Sequence, residues 1–189
     1  GNIHKVEIEK IKYGKLDRIY EFFEKDLKNK RRTLILCDNI TWEVAGRKIN
    51  EVLKCFSPIP VVLKPEKEKR VTAKFEYIEE IEKKVDGVDV ILTVGTGSIT
   101  DLGKLAGNKY KIPVFSFPTA PSMNGYTSPV SAYIKDGVKI TLSVSPCKYV
   151  YIDTDIISNA PLELIKAGFA DSLAKSFANA DWKISSIIT

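Results

Sequence analysis

Histidine is nearly absent from this chain: of 189 residues only His4 carries an imidazole. The His/Cys ligand sets of ordinary zinc sites are therefore excluded. Cysteine is sparse as well. Cys37, Cys55 and Cys147 stand far apart with no C-x-x-C pair, so no disulfide framework is written here and a reducing, cytoplasmic setting is expected. No apolar run reaches the roughly 18 residues of a membrane span, and the opening residues do not read as a signal peptide. An excess of one charge is also missing. Lys and Arg total 29 against 24 Asp and Glu, and the lysines interleave with glutamates, the pattern of solvated faces and not of a nucleic-acid surface.

What is present is the composition of a folded globular chain, 44% hydrophobic and 28% charged, long enough for one generous domain or one domain and part of a second. Lys5 to Ile11 alternates apolar and charged residues, which predicts an edge-type strand. Leu16, Ile19, Tyr20 and Phe23 have helical spacing within Lys15 to Lys28. Leu34 to Cys37 is a continuous apolar run, expected for a strand covered on both faces of a parallel sheet. Thr41 is placed to cap a helix whose stripe runs through Val44, Ala45, Ile49, Val52 and Leu53. Ile59 to Leu63, Val88 to Val94 and Val114 to Phe117 read as further strands, separated by helices over Val71 to Val85 and Ile99 to Asn108. Strands alternating with helices of this length predict a Rossmann-like, doubly wound, mostly parallel α/β sheet.

The pattern then changes. Two alternating runs meet at Lys135-Asp136-Gly137, a late β-hairpin signal, and Lys148 to Ile152 follows as a strand. Ser158-Asn159-Ala160-Pro161 opens a helix expected to continue to Trp182. The expected organisation is an α/β domain over residues 1–157 and the start of an all-helical second domain over 158–189, with Ile184, Ile187 and Ile188 awaiting cover.

Three segments carry chemistry. The first, Thr93 to Asp101, is a buried strand that breaks on Gly95 and Gly97 and opens a helix, leaving unpaired backbone N–H groups over the turn. A dinucleotide fingerprint needs glycine where Thr100 stands. A Walker loop fails as well, because five residues separate Gly97 from Gly103-Lys104 and Leu105 occupies the magnesium-binding position. The turn is thus either a phosphate cradle of its own kind or a plain tight turn, and Asp101 suits the helix dipole in both cases. The second segment, Phe117 to Ser128, follows a central strand, where open sheets bind ligands. Thr119, Ser122, Asn124 and Ser128 offer hydroxyls and an amide to a ligand, or the loop bonds to itself. In the third, Ala167 to Lys175, small residues flank Asp171, the pattern of a close approach or of a plain helix-surface aspartate.

Taken together, Gly95-Thr96-Gly97-Ser98-Ile99-Thr100-Asp101, Pro118-Thr119-Ala120-Pro121-Ser122-Met123-Asn124-Gly125, Asn159-Ala160-Pro161, Ala167-Gly168-Phe169-Ala170-Asp171 and Ala180-Asp181-Trp182-Lys183 resemble the metal-dependent alcohol and polyol dehydrogenases, a superfamily that includes dehydroquinate synthase. Within it they are most similar to glycerol-1-phosphate dehydrogenases, then to glycerol dehydrogenase. The resemblance implies NAD or NADP bound at Gly95, Gly97, Ser98, Ile99 and Asp101, beside Asp38 and Thr41, and by Thr119, Ser122 and Ser128. It implies Asp171 as a ligand to a divalent metal, zinc foremost, or nickel or iron. The substrate implied is a small phosphorylated three-carbon compound, glycerol 1-phosphate or dihydroxyacetone phosphate, with Asn124 and Asp171 in the catalytic region and a homo-oligomer as the usual assembly. Two departures follow. Asn124 replaces the family's loop aspartate, and the family's two metal-binding histidines have no counterpart in this sequence. The resemblance therefore implies the cofactor half of an NAD(P)-dependent glycerol-1-phosphate dehydrogenase, incomplete in this chain, with a glycerol dehydrogenase or a catalytically silent nucleotide-binding relative as the alternatives.

Overall fold

The structure, a computed structural model, describes residues 8–26, 32–65 and 70–188. His4 and the outer ends of the first predicted strand and helix lie outside the described residues. The chain opens with β1 (Lys10–Tyr13), a 3-10 turn and α1 (Ile19–Asp26). Next come β2 (Thr33–Asp38), α2 (Asn39–Thr41), a π turn (Trp42–Gly46), α3 (Arg47–Val52) and β3 (Ile59–Leu63). After α4 (Glu76–Glu82) come β4 (Val90–Gly95), α5 (Gly97–Tyr110) and β5 (Val114–Pro118). The hairpin β6 (Val130–Lys135) and β7 (Val138–Ser143) precedes β8 (Tyr149–Ile152), α6 (Thr154–Ser158) and the long α7 (Leu162–Ile188).

Six strands form one parallel sheet in the order β1-β8-β5-β4-β2-β3, and β6 pairs with β7 as a separate antiparallel ribbon. The doubly wound, mostly parallel sheet with a late hairpin is therefore present as the hydrophobic pattern predicts. Every residue of β2, β4 and β5 is buried, because helices cover both faces. Successive side chains of β2 feed opposite cores: Leu34 and Leu36 pack with Ile78, Ile99 and Leu102, whereas Ile35 and Cys37 pack with Phe23, Ile49 and Phe115. From β2 the chain builds outward to β3, then crosses back to β4 on the other side. That reversal puts a crevice at the carboxyl ends of β2 and β4.

Four details differ from the predicted elements. The edge strand begins at Lys10, later in the chain, where its partner β8 sets the register Lys10 to Tyr149. The helix expected from Val71 begins only at Glu76. Ala73 accepts from the Ile134 N–H at 2.7 Å and the Phe75 N–H donates to the Ile134 carbonyl at 2.8 Å, so this stretch borders the hairpin and is unavailable for helix. Asp38, not Thr41, is the N-cap of α2. Its carboxylate accepts from the Thr41 N–H at 2.7 Å while Thr41 Oγ1 accepts from the Asp38 N–H at 3.0 Å, a reciprocal capping box. Finally, the π turn inserts an extra residue and shifts the helical phase. Ala45, Ile49 and Leu53 are buried, but Val44 is 50% exposed and faces the crevice.

Helix α7 meets the rest of the molecule near its amino end. Gly168 is its buried residue, and Phe169, Leu173, Phe177, Trp182, Ile187 and Ile188 are exposed. Among the described residues, no helix is long and apolar enough to cross a membrane.

Candidate functional site

The crevice is a cleft of about 620 Å³, within the usual range of small-molecule sites. Its floor comes from the segments that leave three neighbouring strands: Asp38, Ile40 and Thr41 after β2, Thr96 and Ser98 after β4, Thr119 and Ala120 after β5. Its far wall comes from Asp155, Ile156, Asn159 and Leu164 of the α6–α7 region. The parallel sheet is what brings these together, since every strand ends on the same edge.

Helix α5 aims its amino end into this cleft. Its intrahelical ladder starts with the Thr100 N–H donating to the Thr96 carbonyl at 3.1 Å, so the amides of Gly97, Ser98 and Ile99 precede the first helical bond. Thr96 stands at the N-cap without making a side-chain capping bond. Amides and dipole together favour an anion here. The glycines serve close packing around this turn. A side chain at Gly95 would meet Ile99 at 2.9 Å, and one at Gly97 would meet Met123 Sδ at 2.6 Å.

Over the turn lies the 119–128 loop. The Thr119 N–H donates to the Gly95 carbonyl at 3.1 Å, and Tyr126 Oη donates to the Ala120 carbonyl at 2.7 Å. Burial pushes the Tyr126 phenol up to about 12, which keeps it a neutral donor. Helix α7 presses on the loop's outer side: Gly168 is close enough that a Cβ would sit 1.6 Å from the Pro121 carbonyl oxygen. Beside that contact, the Asn124 N–H donates to Asp171 Oδ2 at 2.8 Å.

The residues singled out in the sequence do not all share one place. Asp38, Thr41, Ser98 and Thr119 line the cleft. Gly95, Gly97 and Ile99 form its turn, with the Ile99 side chain wholly in the core, so that only its backbone is offered to a ligand. Asn124 and Asp171 meet at the loop and α7. Asp101 points elsewhere. It pairs with the buried Lys104 at 2.9 Å and faces the hairpin at Ala132, and burial pushes its carboxyl upward against the pull of Lys104. Ser128 contributes its carbonyl to Lys104 at 3.4 Å, and Ser122 lies beside the Tyr126 phenol.

Other cleft residues carried no sequence signal. Val44 falls in the apolar stripe that predicts a core face, and Arg70 follows a charged run that reads as solvent face. Arg70 lines the cleft and pairs with Glu163 in the first turn of α7. Thr96 and Asn159 do lie inside the glycine-turn and Asn-Ala-Pro motifs, where a hydroxyl and an amide are the signal for a ligand contact.

The arrangement fits a dinucleotide: amides for a pyrophosphate, a carboxylate at the end of β2 for ribose hydroxyls, and apolar walls from Ile40, Val44, Ile156 and Leu164 for rings. It does not complete a metal centre. Among the described residues, no group of three His, Cys, Asp or Glu side chains is placed to hold an ion, and one carboxylate is short of the usual ligand count.

Comparison with known proteins identifies the family of the chain and its fold. Residues 10–161 match the family model described as iron-containing alcohol dehydrogenase. The chain is 32% identical over 185 residues to glycerol-1-phosphate dehydrogenase [NAD(P)+] of Bacillus velezensis, covering 95% of this chain and 46% of that protein. It is 35% identical over 162 residues to the protein of the same name from Thermococcus sibiricus, covering 85% and 45%. The chain thus spans about half the length of the curated relatives it matches. NADH-dependent butanol dehydrogenase A of Thermotoga maritima has a similar fold, with a TM-score of 0.74 at 19% identity over 92% of this chain and 49% of that one.

Proposed function

Because this chain belongs to the iron-containing alcohol dehydrogenase family, we propose that it supplies the NAD(P)-binding part of an oxidoreductase that interconverts glycerol 1-phosphate and dihydroxyacetone phosphate. The observation that carries this reading is the amino end of α5 opening into the cleft at the reversal between β2 and β4. The name of the relatives given above supplies glycerol 1-phosphate, and dihydroxyacetone phosphate is the ketone that its oxidation at the C2 hydroxyl yields.

In this reading the amides of Gly97, Ser98 and Ile99 bind the pyrophosphate, assisted by the Thr96 and Ser98 hydroxyls. Asp38 orients a ribose. Its capping bonds to Thr41 both fall on Oδ1, and Oδ2 takes the ribose hydroxyl. Thr119 and the apolar wall hold the rings and exclude water from the bound face. The nicotinamide, when bound, accepts or donates the hydride. The loop bearing Ser122 and Asn124 borders the substrate and offers hydrogen bonds but no carboxylate at position 124. In the same reading α7 belongs to the opening of a helical second domain, and its exposed Phe169, Leu173 and Phe177 are side chains that such a domain would pack against. The residues described supply no metal centre, so no step is assigned to a metal here.

Titration calorimetry with NADH and NADPH tests the reading. Saturable binding that is lost in Gly97→Val, with the circular dichroism of the fold retained, is expected. A folded wild-type protein that binds neither dinucleotide overturns it.

A further inference from the structure

Lys104 is buried to 1% exposure in the third turn of α5, and no part of the proposed chemistry uses it. Its ammonium donates to three backbone carbonyls, those of Val130 at 2.6 Å, Gly125 at 3.2 Å and Ser128 at 3.4 Å, and pairs with Asp101 Oδ1 at 2.9 Å. These carbonyls belong to the far end of the 119–128 loop and the first residue of β6. The same helix turn holds the hairpin a second time, through Ser131 Oγ donating to the Asp101 carbonyl at 2.8 Å.

A lysine taken out of water with its counter-ion is expensive, and replacing such a pair by apolar side chains is often neutral or stabilising. Fold stability alone is therefore a poor reason for an ammonium at this position. Its acceptors offer a better one. The carbonyls of Gly125, Ser128 and Val130 come from a short 3-10 turn, the irregular residue after it and the start of β6, and their convergence on one point beside α5 calls for donors there. Lys104 supplies several from one point. It does so from the helix whose amino end opens the cleft, so loop and phosphate turn are held in one frame.

We propose that Lys104 is a positioning residue for the dinucleotide site: anchored by Asp101, it fixes the 119–128 loop over the amino end of α5. The inference rests on the cofactor reading above only in what the loop is positioned for. Loss of this anchor frees the loop at its Gly125–Val130 end while the contacts of Thr119 and Asn124 remain.

The test compares wild type, Lys104→Met, Asp101→Asn and the double variant by amide hydrogen exchange, thermal unfolding and NADH titration. In Lys104→Met, exchange over residues 119–130 is expected to rise by about tenfold or more, with β4 and α2 unchanged, and NADH affinity to fall by a similar factor. The double variant removes the uncompensated charge along with the anchor and keeps the protein folded where Lys104→Met alone does not. Recovery of thermal stability with the loop still fast and NADH still weak supports positioning. Recovery of loop protection and affinity along with stability overturns it, since charge balance would then be the whole role. If wild type binds no dinucleotide, the cofactor reading fails, and the exchange comparison still decides whether Lys104 holds the loop. If wild type binds and Lys104→Met binds equally with a protected loop, only the positioning inference fails.

Discussion

The Asn124 backbone N–H donates to Asp171 Oδ2 at 2.8 Å, linking a loop that follows β5 to the long helix α7 across 47 residues of sequence. The side chain of Asn124 is not the partner, so this tie persists with any residue but proline at position 124. Replacing Asp171 removes the acceptor. Asp171→Ala is expected to cost about 1 kcal/mol and to speed exchange of the Asn124 amide, whereas Asn124→Ala leaves both unchanged. Equal exchange in wild type and Asp171→Ala would show that the contact does not form in solution.

Gly168 is the second tie between α7 and the loop. A Cβ there meets the Pro121 carbonyl oxygen at 1.6 Å and its carbon at 2.8 Å. Both are backbone atoms, so neither can step aside as a side-chain tip does. Gly168→Ala should push α7 off the loop and destabilise by about 1–3 kcal/mol, even though alanine is the better helix former. A denaturation midpoint at or above that of wild type would reject the close approach.

Asp38 has two roles that one substitution separates. As the N-cap of α2 it can be replaced by asparagine with little loss, while alanine costs about 1 kcal/mol. Asp38 also lines the cleft, and in the proposed dinucleotide site its carboxylate would disfavour the extra phosphate of NADP. Asp38→Asn should keep its stability within about 0.5 kcal/mol of wild type and shift the ratio of NADPH to NADH affinity upward. An unchanged ratio would place the ribose away from this carboxylate.

The cysteines report on the sheet. Cys37 and Cys147 are buried, and burial pushes each thiol up to about 12, while Cys55 is exposed. A disulfide reagent such as DTNB should find one fast thiol in the native protein and all three in guanidinium. The raised thiols also set a direction with pH. Above about 8.5, where thiols of the unfolded chain ionise, the unfolded state holds fewer protons than the folded one, so stability falls toward the folded value near 12. The urea midpoint should be lower at about pH 10 than at about pH 8, and three fast thiols in native protein would contradict the burial of β2.

Local pattern made much of this legible. Leu34 to Cys37 announces a strand covered on both faces because only apolar side chains tolerate burial on both sides, and β2 is buried throughout. Asp136-Gly137 marks the hairpin because its turn needs positive φ, and both residues have it, at 51° and 76°. Val71 to Phe75 misled for the opposite reason. Its helical spacing is real, but hydrogen bonds to Ile134, some 60 residues distant, claim the backbone first. Val44 differs because it lies inside the π turn Trp42–Gly46, whose extra residue turns it out of the stripe that Ala45, Ile49 and Leu53 keep, and a turn of that kind has no mark in the periodicity.

The sequence by itself determined the alternation of strands and helices, the glycine turn before α5 and the late hairpin, since each follows from side-chain periodicity or backbone freedom within a few residues. Only the tertiary structure decided that Asp101 faces the hairpin with Lys104 while Ser98, three residues earlier, faces the cleft. It also decided that Asp38, Thr96 and Thr119 share one cleft, and that Asp171 receives the Asn124 amide. Those relations depend on strand order and on helix rotation against neighbours far along the chain, and no local spacing encodes them.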